Sequence, residues 1–191
     1  MLVDELERVT VYAEGVYEFW AECPFCESSM KIREVVYALP KVGRTLMVTR
    51  KCSKCGYRHV EVIPLEKKRH IRVYYRAEGL RDLYARIVRS NVASIEIPEL
   101  GVSISPGAIA PLMITNVEGL LYMVLEAIKS LQVLGEGGSG EALDTVKRLL
   151  ERGGRFTLIL DDPMGLSSIE PPGGVSSGKV IVEVVEGILE E

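Results

Sequence analysis

The sequence predicts an α+β protein that is mainly β. Three observations carry that prediction. Short runs of alternating apolar and polar residues fill most of the chain, one stretch past the middle switches to a helical repeat, and four cysteines stand in two pairs of identical spacing. The 191 residues suffice for one large domain or two small ones. With 47% hydrophobic and 26% charged residues, the composition is that of a folded chain rather than a disordered one.

Residues 1–19 read as an N-terminal segment. Its start, "MLVDELERVT", is acidic and amphipathic, with neither a basic leader nor an apolar run, so no signal peptide is expected. The most apolar stretch, "GLLYMVLEAIKSLQVLG", carries Glu126 and Lys129 and is too short to span a bilayer. The expectation is a cytoplasmic protein with no membrane partner. In that reducing compartment, paired cysteines bind metal more often than they form disulfides.

Residues 20–66 contain the pairs. Cys23 and Cys26 form one C-x2-C and Cys52 and Cys55 the other, with 25 residues between them. Two thiolates at this spacing face one point when the backbone turns tightly, and two such knuckles supply the four sulfurs that tetrahedral zinc prefers. Pro24 stiffens the first knuckle. Gly56, directly after the second pair, allows a positive φ there, and Lys51 and Lys54 offset part of the thiolate charge. The residues between read as strands, "KIREVVYAL" and "RTLMVTRK", joined by a turn at "KVGR", with "HVEVIPL" following. Knuckles joined by antiparallel strands make a zinc ribbon with one structural zinc per chain and no open coordination position. His59 and His70 are not needed as ligands. A two-histidine, one-carboxylate iron site built from His59, Glu61 and His70 is set aside in favour of surface histidines on a basic strand.

Residues 67–191 read as a β-rich domain with a helical hairpin at about 116–153. Ile71, Val73 and Tyr75, then Ile87 and Val88, Ile95 and Ile97, and Val102 and Ile104 mark short strands expected to pair antiparallel. At "ITNVEGLLYMVLEAIKSLQVL" the period changes. Thr115 and Glu118 have the spacing of a capping box, and Leu120, Leu121, Val124, Leu125, Ile128 and Leu131 fall on one helical face. After the turn "GEGGSG", Ser139 can cap a second helix whose stripe is Leu143, Val146, Leu149 and Leu150. The chain returns to β with "RFTLILDD", turns through "PMGLSSIEPPGG", and ends in "KVIVEVVEGIL". Asp161, Asp162 and Glu170 suggest a carboxylate cluster, but an Asp-Asp-Pro opening a turn more usually bonds its own backbone. No nucleophile or base stands beside them, so no catalytic residue is assigned and the protein is read as a non-enzyme. "GGVSSGKV" approaches a phosphate-binding loop, yet Val180 stands where the Mg²⁺-holding hydroxyl belongs and a strand follows instead of a helix.

The net charge of −4 hides an asymmetry: between Glu27 and Arg89 there are 16 Lys/Arg against 6 Asp/Glu. That block either solvates itself or meets a polyanion or an acidic protein surface. With Tyr57, Tyr74 and Tyr75 as stacking platforms, it supports an alternative reading as a nucleic-acid-binding zinc ribbon.

"CPFC", "CSKCGYR", "RIVRSNVASIEIPELGVSI", "ITNVEGLL" and "LILDDPMGLSSIE" run in this order over Cys23 to Glu170. In that order and spacing the chain resembles the ZPR-type zinc-finger proteins of archaea and eukaryotes, in the archaeal single-module form. The resemblance implies a four-cysteine zinc ribbon followed by a double-stranded β-helix-like domain with an inserted helical hairpin. It places the zinc on Cys23, Cys26, Cys52 and Cys55, with no further cofactor. It also implies an adaptor or chaperone that binds a translation elongation factor 1-alpha type GTPase, as two-module eukaryotic members do; those are also described as contacting a receptor tyrosine kinase. The family's D-P-G-N-S pattern falls on Asp162, Pro163, Gly165 and Ser167, with Leu166 in place of Asn. Asn116 replaces Thr in its T-T-V-E-G.

Overall fold

From Ala13 onward four strands follow one another in an antiparallel meander. β1 (Ala13–Glu22), β2 (Ser29–Leu39), β3 (Gly43–Lys51) and β4 (Arg58–Pro64) lie in that order in one sheet. They belong to the first of two units, Met1–Lys67; the second is Lys68–Glu191. The structure, a computed structural model, describes residues 13–39, 42–108, 110–135, 140–174 and 178–185. In the first unit Met30, Ile32 and Val48 bury against Cys23 and Cys52, with Ala21, Leu46, Tyr57 and Ile63 partly buried around them. Val35 and Val42 are also buried in this unit; an apolar core this small among the described residues gains much from a cross-link.

Most of β1 carries no strand signal in the sequence, and its Tyr17, Phe19 and Trp20 are exposed. A strand with little burial shows no clean alternation, yet its ladder with β2 runs from Ala13 to Glu22. Of the turn expected at "KVGR", Gly43 and Arg44 already belong to β3, paired with Leu39 and Ala38, and Lys41 lies outside the described residues.

Among its described residues the second unit holds eight strands, every pairing antiparallel as expected. They are β5 (Ile71–Ala77), β6 (Arg86–Arg89), β7 (Ser94–Ile97), β8 (Val102–Ile104), β9 (Met113–Asn116), β10 (Phe156–Asp162), β11 (Ser168–Glu170) and β12 (Val180–Val184). A five-stranded sheet runs β12-β5-β10-β7-β8 and a three-stranded one β11-β6-β9. Neighbours in space come from distant parts of the chain, as in a double-stranded β-helix or jelly roll. Helices α1 (Val117–Leu134) and α2 (Gly140–Arg152) lie between β9 and β10 and pack on each other. Tyr75, Ile87, Ile97, Leu120, Leu121, Leu158 and Leu160 are among the fully buried side chains of this core.

Local details depart from expectation at three places. The cap of α1 is Asn116, not Thr115: its Oδ1 accepts from Gly119 N–H at 2.7 Å, while Thr115 belongs to β9 opposite Ile87. Asn116 therefore keeps the capping role that a Thr at its position would also fill. The expected cap of α2, Ser139, lies outside the described residues. Within "PMGLSSIEPPGG" the chain turns twice, with Gly165 N–H donating to Asp162 O and Gly174 N–H to Pro171 O, and between the turns Ser168–Glu170 form β11 against β6. Leu80–Tyr84 forms a single 3-10 turn where no element was expected. It is anchored by the Asp82 carboxylate, which accepts from the N–H groups of Glu78 and Gly79.

Candidate metal centre

The two knuckles are built alike. Cys23 N–H donates to Ser28 O and Glu27 N–H to Cys23 O; Cys52 N–H donates to Tyr57 O and Gly56 N–H to Cys52 O. The residue after each second cysteine must adopt a left-handed backbone to close this loop, with φ of 77° at Gly56 and 58° at Glu27. Gly56 was foreseen from the sequence. Glu27 was not, because the first knuckle places an ordinary L-residue where glycine is preferred.

These loops bring Cys23, Cys26, Cys52 and Cys55 together, with all four sulfurs within 4.8 Å of one another. Cys23 Sγ stands 3.6 Å from Cys55 Sγ, and Cys26 Sγ 3.6 Å from Cys52 Sγ. All four are free thiols. A tetrahedral ion with ~2.3 Å zinc–sulfur arms needs sulfurs about 3.8 Å apart. The four closely placed cysteines thus form a zinc-binding site, and their soft sulfur donors suit zinc rather than magnesium or calcium.

The electrostatics of the site favour a cation. Ser28 Oγ lies 3.0 Å from Cys26 Sγ and 3.4 Å from Cys52 Sγ, where one hydroxyl can donate to a thiolate. That contact, with backbone N–H groups of Cys55 and Lys54, brings the Cys52 thiol down to about 6; Ser28 lowers Cys26 in the same way. Cys55 receives a lowering bond from Tyr57 N–H, but loss of water and the three neighbouring sulfurs outweigh it and push the thiol up to about 12. Four thiols this close do not all ionise by themselves, and a divalent ion removes that conflict. Ser28 was missed from sequence; a hydroxyl two residues past a C-x2-C pair is the only signal it left.

Around the knuckles Phe25 is 74% exposed at the first tip, its ring 4.8 Å from that of Tyr57, which in turn stacks parallel on His59. His59 is an exposed strand residue, as expected. His70 is not a ribbon residue: it precedes β5 in the second unit, where its Nε2 meets Asp161 Oδ1 at 2.6 Å. Arg72 holds the other Asp161 oxygen, with Nε at 2.8 Å. The iron site of His59, Glu61 and His70 therefore has no basis in the geometry. Tyr75 is wholly buried and so is not a stacking platform of the nucleic-acid reading, while the half-buried Tyr74 donates its hydroxyl to Glu183. The basic block also divides between the units. Arg50 pairs with Glu61 and Arg44 with Glu14 in the first, while in the second Arg89 is buried and donates to the carbonyls of Ala93 and Pro111.

Among the second unit's signature segments, "RSNV" and "DDPMGLSS" meet at one buried carboxylate. Asp162 Oδ1 accepts from Ser90 Oγ at 2.8 Å and Met164 N–H at 2.8 Å; Oδ2 accepts from Leu166 N–H at 2.8 Å and Ser167 N–H at 2.6 Å. Ser90 N–H donates in turn to Ser167 Oγ. Burial pushes this carboxyl up, but the bonds from Ser167, Ser90 and Met164 outweigh it and hold it below the usual carboxylate range. Asp162 is thus a turn-organising group, as the Asp-Asp-Pro reading anticipated. Gly165 has φ 68°, and a Cβ there would fall inside the Arg69 carbonyl oxygen. Leu166, replacing Asn, is a buried side chain, so the departure lies in the interior of the unit. Lys179, of the near-match to a phosphate loop, reaches Asp82 at 2.7 Å and Glu78 at 3.5 Å and is followed by β12; residues 175–177 lie outside the described residues.

Residues 81–191 match the family model of the ZPR1 jelly-roll domain. The chain is 35% identical to an uncharacterized ZPR1-like protein of Methanocaldococcus jannaschii, over 88% of this chain and 90% of that one. It is 29% identical to an uncharacterized ZPR1-like protein of Pyrococcus horikoshii, over 78% and 71%. To the zinc finger chaperone zpr1 of Schizosaccharomyces pombe it is 28% identical, over 88% of this chain but 39% of that protein. It thus spans well under half of that eukaryotic relative. No helix among the described residues is long and apolar enough to cross a membrane. With its paired-cysteine site, its jelly-roll strands and these relatives over nearly its whole length, the chain belongs to the ZPR1 family.

Proposed function

We propose that this protein is a non-enzymatic, zinc-dependent adaptor or chaperone whose client is a translation elongation factor 1-alpha type GTPase. One zinc per chain is held by the thiolates of Cys23, Cys26, Cys52 and Cys55, and its role is to fold the ribbon. The observation that carries the reading is the closed four-sulfur cluster with an exposed aromatic at its tip. All four donors are protein sulfurs, leaving no position for substrate, while Phe25 stands 74% exposed on a loop the metal makes rigid. A rigid loop presenting a large apolar side chain binds with little loss of conformational entropy. The name of the S. pombe relative, a zinc finger chaperone, supports the class of activity.

In this reading the ribbon, residues 20–66, presents the contact surface, the β-rich domain, residues 67–191, is its platform, and the protein works in the cytoplasm. The test is capture of the host elongation factor by the zinc-loaded protein from nuclease-treated native extract, with GDP and with a GTP analogue. The reading expects enrichment in at least one nucleotide state and its loss in Phe25→Ala with zinc content unchanged. Failure to enrich the factor in either state would overturn the choice of client.

A further inference from the structure

The register of the first unit's sheet sets Trp20, Lys31, Lys51 and Arg58 directly opposite one another, in one row across β1, β2, β3 and β4. Residues opposite each other in antiparallel strands point to the same face, so the row forms a continuous strip. With strands ~4.8 Å apart, that strip is about 14 Å long. All four side chains are exposed, Trp20 at 66%.

Three cations side by side repel, and a sheet with no use for them gains from separating them. Here the neutralisation is partial. Glu18 meets Lys31 at 2.8 Å and Arg33 at 3.3 Å, while Lys51 and Arg58 have no ion-pair partner among the described residues. A groove of about 380 Å³ opens on this face, with Trp20, Lys31, Arg33 and Lys51 in its walls. The single tryptophan of the chain thus stands at one end of a row of three cations, of which Lys31 is paired with Glu18 while Lys51 and Arg58 have no ion-pair partner among the described residues. A flat indole beside cations spaced at strand intervals matches an unpaired base beside its phosphates. An acidic peptide would use the cations but has no group that requires the exposed indole. A duplex would have no free base face to stack.

We propose that this face of the sheet binds single-stranded nucleic acid, with a base stacked on Trp20 and phosphates along Lys31, Lys51 and Arg58. The surface does not depend on the identity of any protein client. It also differs from the nucleic-acid reading of the sequence, since its aromatic lies outside the 27–89 block and Tyr74 and Tyr75 take no part.

Because Trp20 is the sole tryptophan, its emission reports the contact directly. The zinc-loaded full chain is titrated with 12-nucleotide oligo(U) and oligo(dT) between 50 and 200 mM salt (on the order of the range where phosphate contacts show their salt dependence). The expected result is saturable quenching by both, with log K falling against log salt at a slope of about −2, the value for three phosphate contacts on a single strand. The double variant Lys51→Glu/Arg58→Glu, checked for unchanged zinc content and Trp20 emission, should bind about tenfold or more weakly, with the slope reduced to about −0.7. With a fluorescein-labelled oligonucleotide read by anisotropy, Trp20→Ala should weaken binding while leaving the slope unchanged. Absence of quenching at the lowest salt would overturn the proposal. So would equal affinity for a polyglutamate peptide, which would mark an acidic-protein surface, or equal affinity for a duplex of the same length.

Discussion

Replacing Asp162 by Ala should unfold the second unit more readily than any surface substitution, and the expected size follows from its bonds. The carboxylate is wholly buried and satisfies the Met164, Leu166 and Ser167 N–H groups and the Ser90 hydroxyl. Ala removes all four acceptor contacts without supplying another. Each buried donor left without a partner costs roughly 1–3 kcal/mol. Water entering the cavity will recover the half-buried Met164 N–H, while Leu166 and Ser167 lie deeper. With the Ser90 hydroxyl, three donors remain and the sum expected is about 3–9 kcal/mol. Asp162→Asn keeps one acceptor oxygen and should cost roughly half as much. Both helices belong to the second unit, so urea unfolding followed by circular dichroism at about 222 nm, where helix dominates, reads that unit. A loss below ~1 kcal/mol, comparable with a surface control such as Asp144→Ala, would refute the reasoning. The pH dependence carries the same signature. The folded carboxyl lies below its usual range, so its stabilisation is fully present above the unfolded pKa. It is lost as pH falls through the lower folded value, which Asp162→Asn should suppress.

Other outcomes follow from the knuckles and the adjoining turn. Glu27→Gly relieves a left-handed backbone in an ordinary residue and should stabilise the zinc-loaded ribbon by about 1 kcal/mol, read by urea unfolding of Trp20 emission. Ser28→Ala removes the hydroxyl beside Cys26 and Cys52; zinc affinity by chelator competition should fall about tenfold, the low end for outer-shell groups. Gly165→Ala drives a Cβ into the Arg69 carbonyl at a positive φ and should destabilise the second unit by more than about 2 kcal/mol in the same dichroism assay. Removing zinc with a strong chelator should abolish the cooperative unfolding of the ribbon, whose core is too small to hold alone. The helical signal, which comes from the larger core of the second unit, should persist.

How much of this was legible in the sequence depends on where the information resides. The metal centre was legible because its chemistry is local: the C-x2-C spacing defines each knuckle, and two knuckles define four ligands. The helical stripes were legible because Leu120, Leu121, Val124, Leu125 and Ile128 all bury on one side. Strand β1 was not, because Tyr17, Phe19 and Trp20 are exposed and leave no period to read. β9 was hidden because its four residues run directly into α1, and a capping-box spacing at Thr115 and Glu118 imitates a helix start one residue early. The Asp162 hub was visible only as two separate signature segments. Their meeting joins Ser90 to residue 162 across 72 positions, and no local pattern announces such a contact. Trp20 and the cation row were invisible for a like reason, since cross-strand register is fixed by pairing and not by neighbours in sequence.

The central claim is that Cys23, Cys26, Cys52 and Cys55 grip one zinc ion in a closed site. Zinc-edge X-ray absorption on the purified protein, with metal content measured on the same sample, tests it most directly. The account predicts one zinc per chain with four sulfur neighbours at ~2.3 Å and no light-atom ligand. A shell containing nitrogen or oxygen, or a metal-free protein with its cysteines joined as disulfides, would contradict it.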